Sequence, residues 1–402
     1  MALNPVVLAL SRSGEPVAHK IAAALGVQVH GREGRVDRAD AFFANALDHT
    51  RDLFAAGVPV IGVCASGILI RGVAPLLADK RNEPPVLSVS DDGSVVVPLL
   101  GGHRGANKLA HEVSGILGGT AAVTTAGDVA LGIALDEPPA GWRLANRDDA
   151  KGAMASLLAG GGATVTGDAP WLADLPKGDS LRISACTDRL SQDLGPDHLQ
   201  FAPQQITVGV GCARDCDPRE LAVLGSQTLA EANISDAAIH SINTIGLKAD
   251  EPAINALAQV YDVPMRLFSA DELEAETPRL ANPSDVVFAE VGTHGVAEAA
   301  ALAQAGPDAK LLVTKQKTKN ATCALAIAPA PLTDLQGQAR GRLSVVGIGP
   351  GQATWRTPEV SRLVSEADEL VGYGLYIDLL GPLAIGKERS DFYQSSLQIR
   401  LG

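Results

Sequence analysis

The chain has 402 residues with 46 acidic and 33 basic side chains, a formal net charge of -13. That balance excludes general nucleic-acid binding, which needs a dominant basic face, and no apolar run approaches the roughly 18 residues that span a bilayer. With 46% apolar residues, 3% aromatics and 42 glycines, the composition suits compact α/β layers in several domains of a soluble, cytoplasmic protein. The N-terminus lacks the basic-then-apolar layout of a signal peptide. Five cysteines at irregular spacing make no disulfide framework, and Cys212 and Cys216 have no second Cys or His pair to complete a metal site.

In chain order, Pro5–Leu10 reads as a strand, and Ser13 with Glu15 opens a helix that Gly26 ends. The short strand VQVHG follows, then a helical pattern from about Asp40 to Ala56. Strand Val58–Val63 runs into the turn VCASG and a helix bearing Arg71. Strands Val86–Ser90 and Val95–Leu100 flank a hairpin turn at Asp91-Asp92-Gly93, and Gly101-Gly102-His103-Arg104-Gly105 opens another helix. Strand ends meeting Gly-rich, helix-starting loops surround anionic ligands with backbone N–H groups, so Val60–Leu109 is expected to form one pocket.

From 129 to 204, Pro and Gly clusters break the pattern into a small middle module. Alternation resumes with strand Ile206–Val210, a helix from Pro218, strand Ala238–Asn243, a helix from Glu251 and strand Met265–Phe268. Helices from Asp271 and Gly295 lead to strands Leu311–Thr314 and Thr322–Ala328, which predicts a mostly parallel sheet through residue 330. Residues 331–341 read as a linker by composition. Beyond it, LSVVGIGPG reads as a strand entering a Gly-Pro-Gly loop, and residues 342–402 hold too few elements to cover a sheet on both faces.

Gly347-Ile348-Gly349-Pro350-Gly351 is a poor dinucleotide fingerprint and has no Walker Lys. The composite VVGIGPGQATWRTPE…ADELVGYGLYIDLL resembles the start of the tetrapyrrole methyltransferases, and VGYGLYIDLLGPL with GKER is most similar to precorrin-3B C-17 methyltransferase. The likeness covers about Leu343–Arg389, and the Phe392–Ser396 tail departs from that family's continuation. It implies S-adenosylmethionine as cofactor if the domain is completed, with Gly347, Gly349, Pro350 and Gly351 as its first loop.

GVCASGILIRGVAPLLADK, the Asp-Asp-Gly turn and PLLGGHRGANKLA resemble the N-terminal domain of the cobalt-precorrin-5A hydrolase family of cobalamin biosynthesis. GVGCARDCDPREL, SINTIGLKADEPAINALAQ, FSADEL, GTHGVAEAAALAQAG and TKQKTKNATCALA resemble its C-terminal domain. The implied architecture is an α/β chain with two lobes (1–128 and 205–330), the middle module between them, and an incomplete α/β methyltransferase domain after the linker. The implied reaction opens a lactone joining a ring acetate to carbon 20 of a precorrin, with or without cobalt, and expels acetaldehyde. It needs no cofactor. The partners expected are that tetrapyrrole, with neither nucleic acid nor membrane, and further copies of the chain or other corrin-pathway enzymes.

Lactone opening needs a base for water and donors for the oxyanion. His103, in the Gly-rich loop, is a candidate for proton transfer, or else a loop histidine that binds a substrate carboxylate or has no role, and the N–H groups of Gly102, Arg104 and Gly105 are candidate oxyanion donors. Glu251, on Lys248-Ala249-Asp250-Glu251-Pro252, reads either as a helix-starting acid or as a catalytic carboxylate. Cys64 reads as a small buried thiol before a nucleophile. Precorrin carboxylates call for cations: Arg71 and Arg104 with Asn107 in the first lobe, Lys315 and Lys317 in the second. In GVGCARDCDP, Cys and Asp-Cys replace a basic run common in relatives. His294 receives no role. Two rival readings remain: a methyltransferase with a hydrolase-like accessory part, and a non-catalytic precorrin carrier.

Overall fold

The structure, a computed structural model, describes residues 3–77, 83–124, 131–189, 195–351 and 355–392; the His103 side chain, with Lys80 and Arg81, lies outside the described residues. The chain forms two compact units, one of residues 1–125 with 343–402 and one of residues 126–342. No helix among the described residues is long and apolar enough to cross a membrane.

In the first unit, β1 (Val6–Ala9), α1 (Glu15–Leu25), β2 (Gln28–Arg32), β3 (Ala41–Phe43), α2 (Ala46–Ala55), β4 (Val60–Val63), α3 (Ser66–Val73), β5 (Val86–Val89), β6 (Val95–Leu100), α4 (Ala106–Leu117) and β7 (Thr120–Ala121) build a seven-stranded sheet of order 3-2-1-4-5-6-7. Val7, Ala9, Ile61 and Val63 face α1 and α4, whereas Leu8, Val60 and Val86 face α2 and α3. Burial on both faces is why these strands read as continuous apolar runs. The helix expected from Asp40 starts only at Ala46: Asn45 Oδ1 accepts from the N–H of Leu47 and Asp48, and 41–43 pairs with β2.

The second unit begins with the middle module. Here β8 (Trp142–Leu144), α5 (Ala150–Leu158), β9 (Ala163–Gly167), β10 (Leu181–Ala185) and β11 (His198–Pro203) make a sheet of order 8-11-10-9. Leu181, Ile183, Leu199 and Phe201 alternate inward along its two central strands, and Ala153 and Leu157 of α5 close over them. The module is thus a small core of its own within the second unit.

The rest of the unit comprises β12 (Ile206–Cys212), α6 (Pro218–Glu231), β13 (Ile239–Ile245), α7 (Pro252–Val260), β14 (Met265–Phe268), α8 (Ala270–Glu274), α9 (Asp285–Val291), α10 (Ala297–Ala305), β15 (Lys310–Lys317), β16 (Ala321–Ile327) and β17 (Gln338–Ala339). The sheet order is 15-16-12-13-14-17. Strands β12, β13 and β14 are parallel neighbours, but β16 is antiparallel to both β12 and β15, so the expected mostly parallel sheet is mixed. The turn from Thr318 to Asn320 is too short for a parallel crossover. Leu221, Leu224, Ile254 and Leu257 cover one face. On the other, Ala-rich α10 comes so close to β12 that a Cβ at Gly209 would collide with the Ala297 carbonyl oxygen.

Part of the expected linker is β17, paired antiparallel with β14. Buried Arg266 fixes it, donating from Nε to the Gln336 carbonyl at 2.6 Å and from Nη2 to that of Gly337. Beyond it, α11 (Pro358–Glu366), β18 (Glu369–Tyr373), α12 (Gly374–Asp378) and β19 (Glu388–Phe392) return to the first unit, where Val364, Leu370, Ile377 and Leu380 join the core under α2. The strand expected at LSVVGIGPG does not form: Leu343 and Val345 are 87% and 93% exposed, and among the described residues β18 pairs with β19 alone.

Candidate functional site

The first crevice lies where the first sheet reverses direction, between the carboxyl ends of β1 and β4, the usual ligand position in an open α/β sheet. Ser11 Oγ donates to Asp91 Oδ2 at 2.9 Å, Ser13 Oγ lies 2.5 Å from the same oxygen, and Gly14 N–H donates to Ser11 Oγ. Sequence reasoning missed this cluster because about 80 residues separate its members. Cys64 is buried beside it, and burial pushes its thiol up to about 12, so it is no nucleophile at neutral pH. Arg71 donates from Nη1 to the Gly67 carbonyl of its own helix at 3.0 Å, at this carboxyl edge.

The Gly-rich loop is elsewhere. Because β6 is antiparallel to β5, with Leu100 opposite Val86, residues 101–105 lie beside Pro84 and Pro85 at the amino edge. The single pocket expected from Val60 to Leu109 is therefore divided between opposite edges of the sheet. Gly102, Arg104, Gly105 and Asn107 fall at the amino edge, away from the Arg71 guanidinium. Two of the three expected donors are also engaged: Arg104 N–H binds the Gly101 carbonyl and Gly105 N–H that of Gly102.

The second crevice lies at the carboxyl edge of β12 and β13. Glu251, immediately before α7, is 0% exposed, and neither carboxylate oxygen has a hydrogen-bond partner among the described residues. Arg214 Nη1 stands 3.5 Å and Lys248 Nζ 3.7 Å from its Oε2. A buried carboxylate without hydrogen bonds is costly, and nearby cations offset only part of that cost. Burial, with Glu251 adding to it, pushes the Cys212 thiol up to about 12, which disfavours its thiolate. Arg214 also donates to exposed Asp250 Oδ1 at 2.9 Å.

Lys317 reaches this edge as well: it is opposite Thr322, which is opposite Gly211, about 10 Å across two strand spacings. Glu220 secures the following turn, accepting from Thr318 Oγ1, Asn320 N–H and Asn320 Nδ2. Lys315 is held apart, its Nζ donating to the Asn282 carbonyl and its N–H to Glu298. His294 pairs with Glu274 at 2.9 Å. Gly347, Gly349, Pro350 and Gly351 lie in the irregular segment before α11. No group of three or more His, Cys, Asp or Glu among the described residues is placed to hold a metal.

These features define a multidomain α/β protein with a polar side-chain cluster at the carboxyl edge of the parallel strands in each of two sheets. The chain belongs to the cobalamin synthesis G family: residues 206–326 match the family described as Cobalamin synthesis G C-terminus, and residues 48–128 match Cobalamin synthesis G N-terminal. Protein CobE of Sinorhizobium sp is 44% identical over 127 residues, 32% of this chain and 82% of the relative. Cobalt-precorrin-5A hydrolase of Priestia megaterium is 29% identical over 303 residues, 69% of this chain and 80% of the relative. Cobalamin biosynthesis protein CbiHC of Archaeoglobus fulgidus is 47% identical over 49 residues, 12% of this chain and 11% of the relative, too little to show a fused methyltransferase.

Proposed function

We propose that the chain hydrolyses the lactone of cobalt-precorrin-5A or a closely related precorrin and releases acetaldehyde, with Glu251 transferring protons. The likeness to the Priestia megaterium hydrolase supports the substrate class. The observation that carries the site is the fully buried Glu251 carboxylate, with no hydrogen bond at either oxygen among the described residues and flanked by Arg214 and Lys248.

Glu251 takes a proton from water as the water oxygen bonds to the lactone carbonyl carbon, and the two cations stabilise the oxyanion. The carbon–oxygen bond then breaks, leaving a carboxylate and a hydroxyl on the two-carbon unit. Loss of that hydroxyl proton lets the carbon–carbon bond to the macrocycle break. Its electron pair passes into the conjugated ring, which takes up a proton, and acetaldehyde departs. Lys317 offers a carboxylate contact at the same edge. The irregular Gly347–Gly351 segment adds no observation favouring methyl transfer.

The test is acetaldehyde release from cobalt-precorrin-5A by the purified protein, followed with a coupled alcohol dehydrogenase. Wild-type protein should release it, and Glu251→Gln should lower the rate about 10³-fold while retaining the wild-type melting temperature. Tight corrinoid binding without acetaldehyde would replace hydrolysis with carriage.

A further inference from the structure

Glu251 is fully buried, yet the guanidinium 3.5 Å from its carboxylate belongs to an exposed side chain. The Arg214 side chain is 57% exposed and bridges Glu251 to Asp250, whose side chain is 77% exposed. We propose that Asp250 occupies the place of a substrate carboxylate, and that an acidic macrocycle exchanges with it on Arg214, uncovering Glu251. This inference rests on the hydrolytic reading of the same crevice and assigns Arg214 a specificity role and Asp250 that of an internal competitor.

The geometry supports exchange. Asp250 receives a single guanidinium hydrogen bond, from Nη1, and the other hydrogen bond of Arg214 is a long one, 3.4 Å from Nη2 to the Leu247 carbonyl. A carboxylate arriving from solvent can take both nitrogens in a bidentate pair, which is stronger than the single contact it replaces. Asp215, next in sequence, has φ of 56°, a left-handed backbone that an aspartate adopts only at some cost and that sets the direction of the Arg214 loop. Lys248 remains beside Glu251 when Arg214 moves, so the buried carboxylate keeps one cation throughout.

Binding of uroporphyrin, a fluorescent tetrapyrrole with an acetate and a propionate on every ring, tests the exchange by fluorescence titration of the full chain. Asp250→Ala should tighten binding about 10-fold, and Arg214→Gln should weaken it about 10-fold. In the double variant, Asp250→Ala should no longer tighten binding, because its effect acts through Arg214. Melting temperatures confirm that each variant is folded. Wild-type protein that does not bind uroporphyrin, or Asp250→Ala protein that binds no more tightly, overturns the inference. Acetaldehyde release is scored separately: its survival in Glu251→Gln defeats the proton-transfer assignment and leaves the exchange standing.

Discussion

The carboxyl edges of the two large sheets are built alike and finished differently. At the first, Asp91 is exposed and meets hydroxyls from Ser11 and Ser13, and the nearby Cys64 thiol is buried and neutral. At the second, the Glu251 carboxylate is buried, has no hydrogen bond among the described residues and faces two cations. A carboxylate satisfied by its own chain has little left to offer a ligand, whereas an unsatisfied buried one holds reactivity that folding alone does not require. Under the proposed hydrolysis, the second edge carries the proton transfer and the first edge is structural.

The largest effect should come from breaking that assignment at Glu251. Glu251→Gln keeps the shape and removes the charge, so acetaldehyde release should fall about 10³-fold while stability stays level or rises. A loss of stability instead, read by urea unfolding, would mean that the ion pairs hold the fold.

Packing of the second sheet sets the next effect. Gly209→Ala places a methyl group against the Ala297 carbonyl and must push α10 away from β12. We expect a loss of about 3 kcal/mol in urea unfolding, at the upper end for overpacking. An unchanged midpoint would show that α10 can shift freely.

Acid should act unequally on the two units. His30 Nδ1 and His49 Nε2 are 3.0 Å apart in the first unit, and Phe43 stacks on His49 at 4.4 Å. Burial lowers His30 to about 4 and His49 to about 3, with neighbouring Asp40 opposing the shift in His30. The unfolded chain therefore binds more protons at these two sites than the folded one below the usual value of 6.5, and stability falls as pH drops from 6.5 towards 4. Asp52, which burial raises to about 6, binds its proton earlier in the folded chain and offsets part of that loss. In the second unit, burial lowers His240 in the same direction, with no histidine ring stacked or bonded to it among the described residues. A net loss of about 2 kcal/mol in the first unit between pH 7 and pH 5.5 is expected, with amide exchange rising first around His30 and His49. Exchange rising equally in both units across that range would contradict it.

Much of this architecture is legible in the letters, and the exceptions have physical causes. Alternating strands and helices from Ile206 to Phe268 follow from apolar periodicity, and Gly26 marks the end of α1 as expected. The opposite placement of Arg71 and Arg104 depends on the antiparallel β5–β6 pair, which the Asp-Asp-Gly turn already implies once its effect is followed to Leu100. Likewise the short Thr318–Asn320 turn implies an antiparallel pair. Other features are tertiary. Spacing cannot show that Glu251 is buried, that Ser11 meets Asp91, or that Arg266 turns part of a linker into an edge strand.

The smallest effects should fall at the first edge. Asp91→Asn retains an oxygen that can accept from Ser11 or Ser13 and loses only the charge, in a place open to water, so its stability cost should stay within about 1 kcal/mol. Cys64→Ala removes a thiol held neutral by burial and should leave acetaldehyde release unchanged. Urea unfolding measures the stability of Asp91→Asn, and the coupled assay used for Glu251→Gln measures acetaldehyde release by both variants, which should stay near the wild-type rate. A rate loss at either position comparable with that at Glu251 would move the chemistry to the β1–β4 crevice, because no other property of these two side chains, one already satisfied and one already protonated, would account for it.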